Sequence, residues 1–139
     1  MIIKYQVFEE NQLLVLRYEG VWCFETYKQQ VLAFVQTPEW KSINKFLVDL
    51  RYVEYVFNNE DIALLLDVKK NIIQKNHVSV QLVDKPMITA LTHLMQEEFG
   101  ILDITTEYCC TVERAIELLD ISFNENQLTN ALDNLELSF

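Results

Sequence analysis

Lys45-Phe46-Leu47-Val48-Asp49-Leu50-Arg51-Tyr52-Val53-Glu54-Tyr55-Val56-Phe57-Asn58-Asn59 is the stretch whose reading decides the fold. Its first half, Phe46 to Leu50, is an almost unbroken apolar run of strand-forming residues. Such a run suits a strand buried on both faces, in the middle of a parallel sheet. Its second half leaves the strand's carboxyl end, and a helix is expected from about Glu60. Asn58 or Asn59 caps that helix, and Glu60 and Asp61 lie in its first turn, where side-chain oxygens and negative charge suit exposed amides. Ligands of open α/β sheets gather just outside the carboxyl ends of the strands. The end of this strand is therefore the place to look for function.

Upstream, residues 2–8 and 13–19 alternate as strands, joined by the short polar connection Glu9-Glu10-Asn11-Gln12. They form an antiparallel hairpin. A helix from about Phe24 to Gln36 shows Tyr27, Val31, Phe34 and Val35 on one face, and Thr37-Pro38 ends it. Downstream, Ile62, Leu65, Leu66, Lys69 and Ile73 continue the second helix, with Lys69, Lys70 and Lys75 near its end complementing the dipole. Val78 to Val83 is the next strand. Asp84-Lys85-Pro86 opens a third helix, whose expected buried face is Met87, Leu91, Leu94, Met95 and Phe99. Residues 104–110 make a further strand, Thr111 caps a fourth helix, and Asn124 starts a fifth with Leu128, Ala131, Leu132 and Leu135 as its stripe.

The connections dictate topology. A helix-bearing segment separates 46–50 from 78–83 and another separates 78–83 from 104–110, and connections of that kind are crossovers between parallel strands. The expected fold class is α/β: a mixed five-stranded sheet, N-terminal hairpin first and parallel βαβ crossovers after, covered by helices. One domain fills 1–122. The segment 123–139 is a helical extension that packs on the domain or on a second copy, as a homodimer.

Composition narrows the function classes. Residues 1–85 hold 11 acids and 10 bases, a net of −1, whereas residues 86–139 hold 10 acids against the single base Arg114, a net of −9. An acidic half repels phosphate backbones and anionic lipid, so neither nucleic acid nor membrane is an expected partner. It is either a solvated surface or a face that docks a basic protein. No signal peptide precedes the first strand, and no apolar run approaches the roughly 20 residues of a membrane helix. Cys23, Cys109 and Cys110 are an odd number of thiols, and neighbours on one strand point to opposite faces. The expectation is a cytoplasmic protein with free thiols. No Gly-rich loop follows a strand, and neither His77 nor His93 has a zinc-ligand spacing, so no cofactor or metal is expected.

Two hairpin strands followed by alternating helix and strand resemble the STAS fold of anti-sigma factor antagonists, and more closely the bacterial SpoIIAA-like group. Phe46-Leu-Val-Asp-Leu-Arg51 before an acidic-capped helix and Val80-Gln-Leu-Val-Asp-Lys-Pro86 opening the next carry that resemblance over roughly residues 1–121. It implies regulation by protein binding. In such antagonists a Ser at the start of the helix after the central strand is phosphorylated by a partner kinase. The matching stretch here, Phe57-Asn58-Asn59-Glu60-Asp61, has no hydroxyl, so that switch does not carry over.

The strand ends bring together the candidate partner- or ligand-binding residues Arg51, Tyr52, Tyr55, Asn58, Asn59, Asp84, Lys85, Thr89, His93 and Thr111. Asp49, a carboxylate inside an apolar run, requires a partner, and Arg51 and Lys85 are the natural ones. Three readings stay open. The first is a non-catalytic regulatory module with Tyr52, Tyr55 and Phe57 as interface anchors. The second is a carrier holding a small apolar or anionic molecule through Arg51 and Lys85. The third is a hydrolase or thiol enzyme built from Cys109 or Cys110, His93 and Asp84. Asp84 as a helix cap and the cysteines as small core residues are the plainer roles of those groups.

Overall fold

The computed structural model describes residues 1–54, 59–100 and 105–139. The alternating N-terminal segments close as a hairpin, β1 (Ile2–Phe8) antiparallel to β2 (Leu13–Val21), with Ile3 opposite Tyr18 and Tyr5 opposite Leu16. Gln12, at φ +52°, turns the chain between them. Helix α1 (Phe24–Phe34) ends two residues before the expected Gln36, because the Thr37 amide and hydroxyl both close on the Phe34 carbonyl and a 3₁₀ turn follows at Pro38–Lys41.

The central run forms β3 (Lys45–Asp49), parallel to β2, and a two-residue β4 (Val53–Glu54) continues beside the end of β2. Then come α2 (Asn59–Val68), a π turn at Lys69–Ile73, β5 (Val78–Leu82), α3 (Pro86–Gly100), β6 (Thr105–Cys109), α4 (Val112–Leu119), α5 (Glu125–Asp133) and β7 (Leu137–Ser138). The sheet order is β6-β5-β3-β2-β1-β7, with β4 on β2, and the crossovers β3 to β5 and β5 to β6 are parallel as expected. The sheet has seven strands where five were expected. The two additional ones are two residues long, too short to show a period.

Both faces of the sheet are covered. Leu14, Leu16, Tyr18 and Phe46 pack against α1, α2 and α3, while Leu13, Val15, Leu47, Val80 and Leu82 pack against α4 and α5. The apolar stripe of α5 lies in that second core, with Leu128 and Leu132 almost wholly buried, and a capping box of Asn124 and Gln127 starts the helix. The tail then covers the β1 edge: Phe139 donates its amide to the Ile3 carbonyl and stacks on Tyr5 at 4.5 Å. A covered edge blocks strand addition by another chain.

Two expectations about facing directions are corrected. The buried face of α3 is Ile88, Leu91, Thr92 and Phe99, with Met95 beside it; Met87 and Leu94 are exposed. Those five sit at i, i+3, i+4, i+7 and i+11, the apolar stripe that a 3.6-residue period defines. Lys69 and Lys75 do not project over the end of α2. Lys69, in the π turn, meets His77, and Lys75, just beyond the turn, donates its Nζ to the carbonyls of Trp40 and Ile43 over the Trp40 ring.

Candidate functional site

Asp49 ends β3 fully buried on the α4–α5 side, and its carboxylate gathers two guanidinium groups. Oδ1 accepts the Arg51 amide at 3.2 Å and Arg51 Nε at 2.8 Å; Oδ2 accepts Arg51 Nη2 at 2.9 Å and Arg17 Nε at 3.1 Å. Arg17 reaches it because parallel register places the two residues side by side on β2 and β3. Arg17 Nη2 lies 3.8 Å from Asp133 Oδ1 at the end of α5. The half-exposed Tyr52 ring lies against both cations, 4.5 Å from Arg17 Cζ and 5.7 Å from Arg51 Cζ. Asp49 beside it holds the Arg51 guanidinium even more firmly protonated than usual.

Lys85, expected on Asp49, is not there: its ammonium donates to the Val53 carbonyl at 3.0 Å and ties down β4. Arg17 takes its place, and the sequence signal for it was a lone charge on the inward-facing Leu13-Val15-Arg17 side of a strand. Thr111 is a helix cap, its hydroxyl accepting the Arg114 amide at 3.2 Å. Tyr55 and Asn58 lie outside the described residues, as does the side chain of Asn59, whose backbone opens α2.

Asp84, Thr89 and His93 do come together, in a shallow groove completed by Tyr108 and Cys110. His93 Nδ1 stands 3.5 Å from the Tyr108 hydroxyl and Nε2 3.8 Å from Glu97. Among the described residues no hydrogen bond joins His93 to Asp84 or to a cysteine, so no relay from acid to imidazole to thiol is assembled. Burial pushes the Cys109 thiol up to about 11. Cys23, which the sequence did not single out, is held below its ordinary value by hydrogen bonds from Thr26 at the start of α1. Native alkylation at neutral pH should therefore label Cys23 first, and Cys109 roughly a hundredfold more slowly than an ordinary thiol. Fragment-ion mass spectrometry reads the order, and rapid labelling of Cys109 would restore it as a nucleophile.

On the other face, a cavity of about 90 Å³ lies between the sheet and α1–α3, and Gln30, Gln81 and Lys69 are in its wall. Lys69 Nζ is 3.0 Å from His77 Nε2, and His77 Nδ1 is 2.8 Å from the Lys75 carbonyl. A carbonyl only accepts, so Nδ1 carries the proton and Nε2 accepts from Lys69. Burial pulls Lys69 down to about 8, and burial with the Lys69 charge pulls His77 down to about 4.

A hairpin, parallel crossovers and helices on both faces define a STAS-type, SpoIIAA-like fold. A matching solved structure is that of the anti-sigma factor antagonist SpoIIAA in its unphosphorylated form, at 11% sequence identity and a TM-score of 0.52, over 85% of this chain and 97% of that one. At that identity the likeness is one of fold. No protein-family model and no curated protein matches the chain. Among the described residues no helix is long and apolar enough to cross a membrane, and no cluster of three or more His, Cys, Asp or Glu is placed to hold a metal.

Proposed function

We propose that the chain is a non-catalytic, cytoplasmic regulatory module that binds another protein through the carboxyl-end surface of its sheet. The observation that carries this reading is the shared fold with an anti-sigma factor antagonist. The local chemistry agrees. Tyr52, 49% exposed, is a rigid aromatic anchor held by Arg17 and Arg51, and Met87, 67% exposed, lies at the start of α3 close by in sequence to the groove residue Asp84. Aromatic and arginine groups of this kind dominate interface energies. The net charge of −9 over residues 86–139 favours a basic partner. Without a hydroxyl in 57–61, control of binding does not run through phosphorylation there. With Leu128, Ala131 and Leu132 buried within the chain, α5 offers no apolar seam to a second copy.

Tyr52→Ala and Met87→Ser should each weaken capture of a partner from the host's lysate at least tenfold, about 1.4 kcal/mol, with less than roughly 2 kcal/mol lost from folding. Quantitative pull-down against the unaltered chain reads the first and chemical denaturation the second. Equal capture by all three proteins would remove this surface. A carrier built on Arg51 and Lys85 has little to stand on, since Asp49 and the Val53 carbonyl already occupy those cations.

A further inference from the structure

A strand covered on both faces ordinarily reads as continuous apolar sequence. β5 is covered on both faces and does not: Ser79 and Gln81 alternate with Val80 and Leu82 and face the cavity. Gln81 is 6% exposed, and Gln30, entering from α1, is 4% exposed. Among the described residues, neither Oε1 atom has a hydrogen-bond partner. A buried amide oxygen left unpaired forfeits the hydrogen bonds it makes to water in the unfolded chain and destabilises the fold. Lys69 adds a cation that no described carboxylate reaches within salt-bridge distance. Leucine at these positions would make a more stable core, so the polar set requires a reason.

We propose that this cavity binds a single-ring aromatic carboxylic acid carrying a hydroxyl or amino substituent. Each part of that ligand answers a group in the wall. The carboxylate meets the Lys69 ammonium, which has three donors and spends one on His77. The hydroxyl or amino hydrogen meets the unpaired oxygens of Gln30 and Gln81. The ring lies among Trp22, Trp40 and Phe46, where edge and face contacts add to burial. None of the wall residues belongs to the Arg17, Asp49, Arg51 and Tyr52 cluster, so ligand and protein binding are separable.

The chain's two tryptophans, Trp22 and Trp40, both line the cavity, so the two indole N–H resonances report occupancy directly. Titration with benzoate, 4-hydroxybenzoate and 4-aminobenzoate should move both, with the substituted acids binding at least tenfold tighter than neutral phenol or straight-chain octanoate. Lys69→Met should weaken 4-hydroxybenzoate at least tenfold and leave phenol unchanged; Gln81→Leu should weaken 4-hydroxybenzoate and leave benzoate unchanged. Both variants remove a buried polar group, so both should fold. Indole resonances unmoved by all three acids at millimolar concentration would overturn the proposal. So would phenol or octanoate binding as tightly as the acids, or a crystal soaked in 4-hydroxybenzoate showing only waters on Gln30 and Gln81.

Discussion

Asp49→Asn should cost about 3–5 kcal/mol of folding free energy, lowering the melting temperature by roughly 10–20 °C. The carboxylate is fully buried and accepts four hydrogen bonds from two arginines. An amide of the same shape keeps one acceptor, turns an N–H donor toward the guanidinium groups, and removes the one carboxylate among the described residues in direct contact with both. Arg51 is partly exposed and can swing to water, but Arg17 is buried and its other acid, Asp133, is 3.8 Å away. The loss therefore falls on Arg17. Replacing the pair together, Asp49→Leu with Arg17→Met, should recover most of it, because a buried ion pair exchanged for apolar groups is close to neutral. Denaturant unfolding of the single and double variants decides. A single variant within about 1 kcal/mol of the parent would mean that the carboxylate is not what holds the two arginines.

Asp49 also shows how far sequence alone reaches here. A carboxylate inside Phe46-Leu-Val-Asp-Leu demanded a cation, and Arg51, two residues on, was legible because it is local. Arg17 was not, because its contact depends on the register between β2 and β3, which no local pattern encodes. Lys85 was assigned instead from nearness to the strand ends, a matter of topology without geometry. Crossovers and hairpin were legible for the opposite reason: segment length and period constrain them directly. The α3 face was misread because Met87 and Leu94 are apolar and Thr92 is not, yet Thr92 is buried with its hydroxyl bonded to the Thr89 carbonyl. Hydropathy sorts residues by type, while a helix sorts them by angle. Asp84, Thr89 and His93 line one groove, as residues near one strand end and on one helical face can. Gln30 and Gln81 were passed over, although Ser79 and Gln81, polar residues alternating in a strand between two crossovers, were a visible signal. Lys69 was read as a dipole partner because nothing in sequence announces the π turn in which it meets His77.

The Lys69–His77 pair makes acid stability the second large effect. The folded pKa of His77 lies at about 4, against an ordinary 6.5, first because burial penalises the imidazolium and then because the Lys69 ammonium faces it. Between those values the unfolded chain binds a proton that the folded chain refuses, so stability rises with pH across that window. The contribution is present in full above pH 6.5 and is lost as pH falls through 4. At about 1.4 kcal/mol per unit it amounts to about 3 kcal/mol. Lys69, lowered to about 8 from 10.5 by burial, obeys the same sign and adds stability as pH rises from 8 toward 10.5. His77→Gln isolates the imidazole from the many carboxylates that also titrate in acid. Its amide oxygen accepts from Lys69 where Nε2 did, and it carries no charge at any pH. The parent should lose about 3 kcal/mol more than the variant between pH 6.5 and 4 in guanidinium unfolding, and parallel curves would show that His77 takes up its proton without opening the core. Protonation has that consequence because, among the described residues, Nε2 is the acceptor that the Lys69 ammonium meets. Once Nε2 becomes a donor, two cations face each other at 3.0 Å beside Phe46 and Phe99.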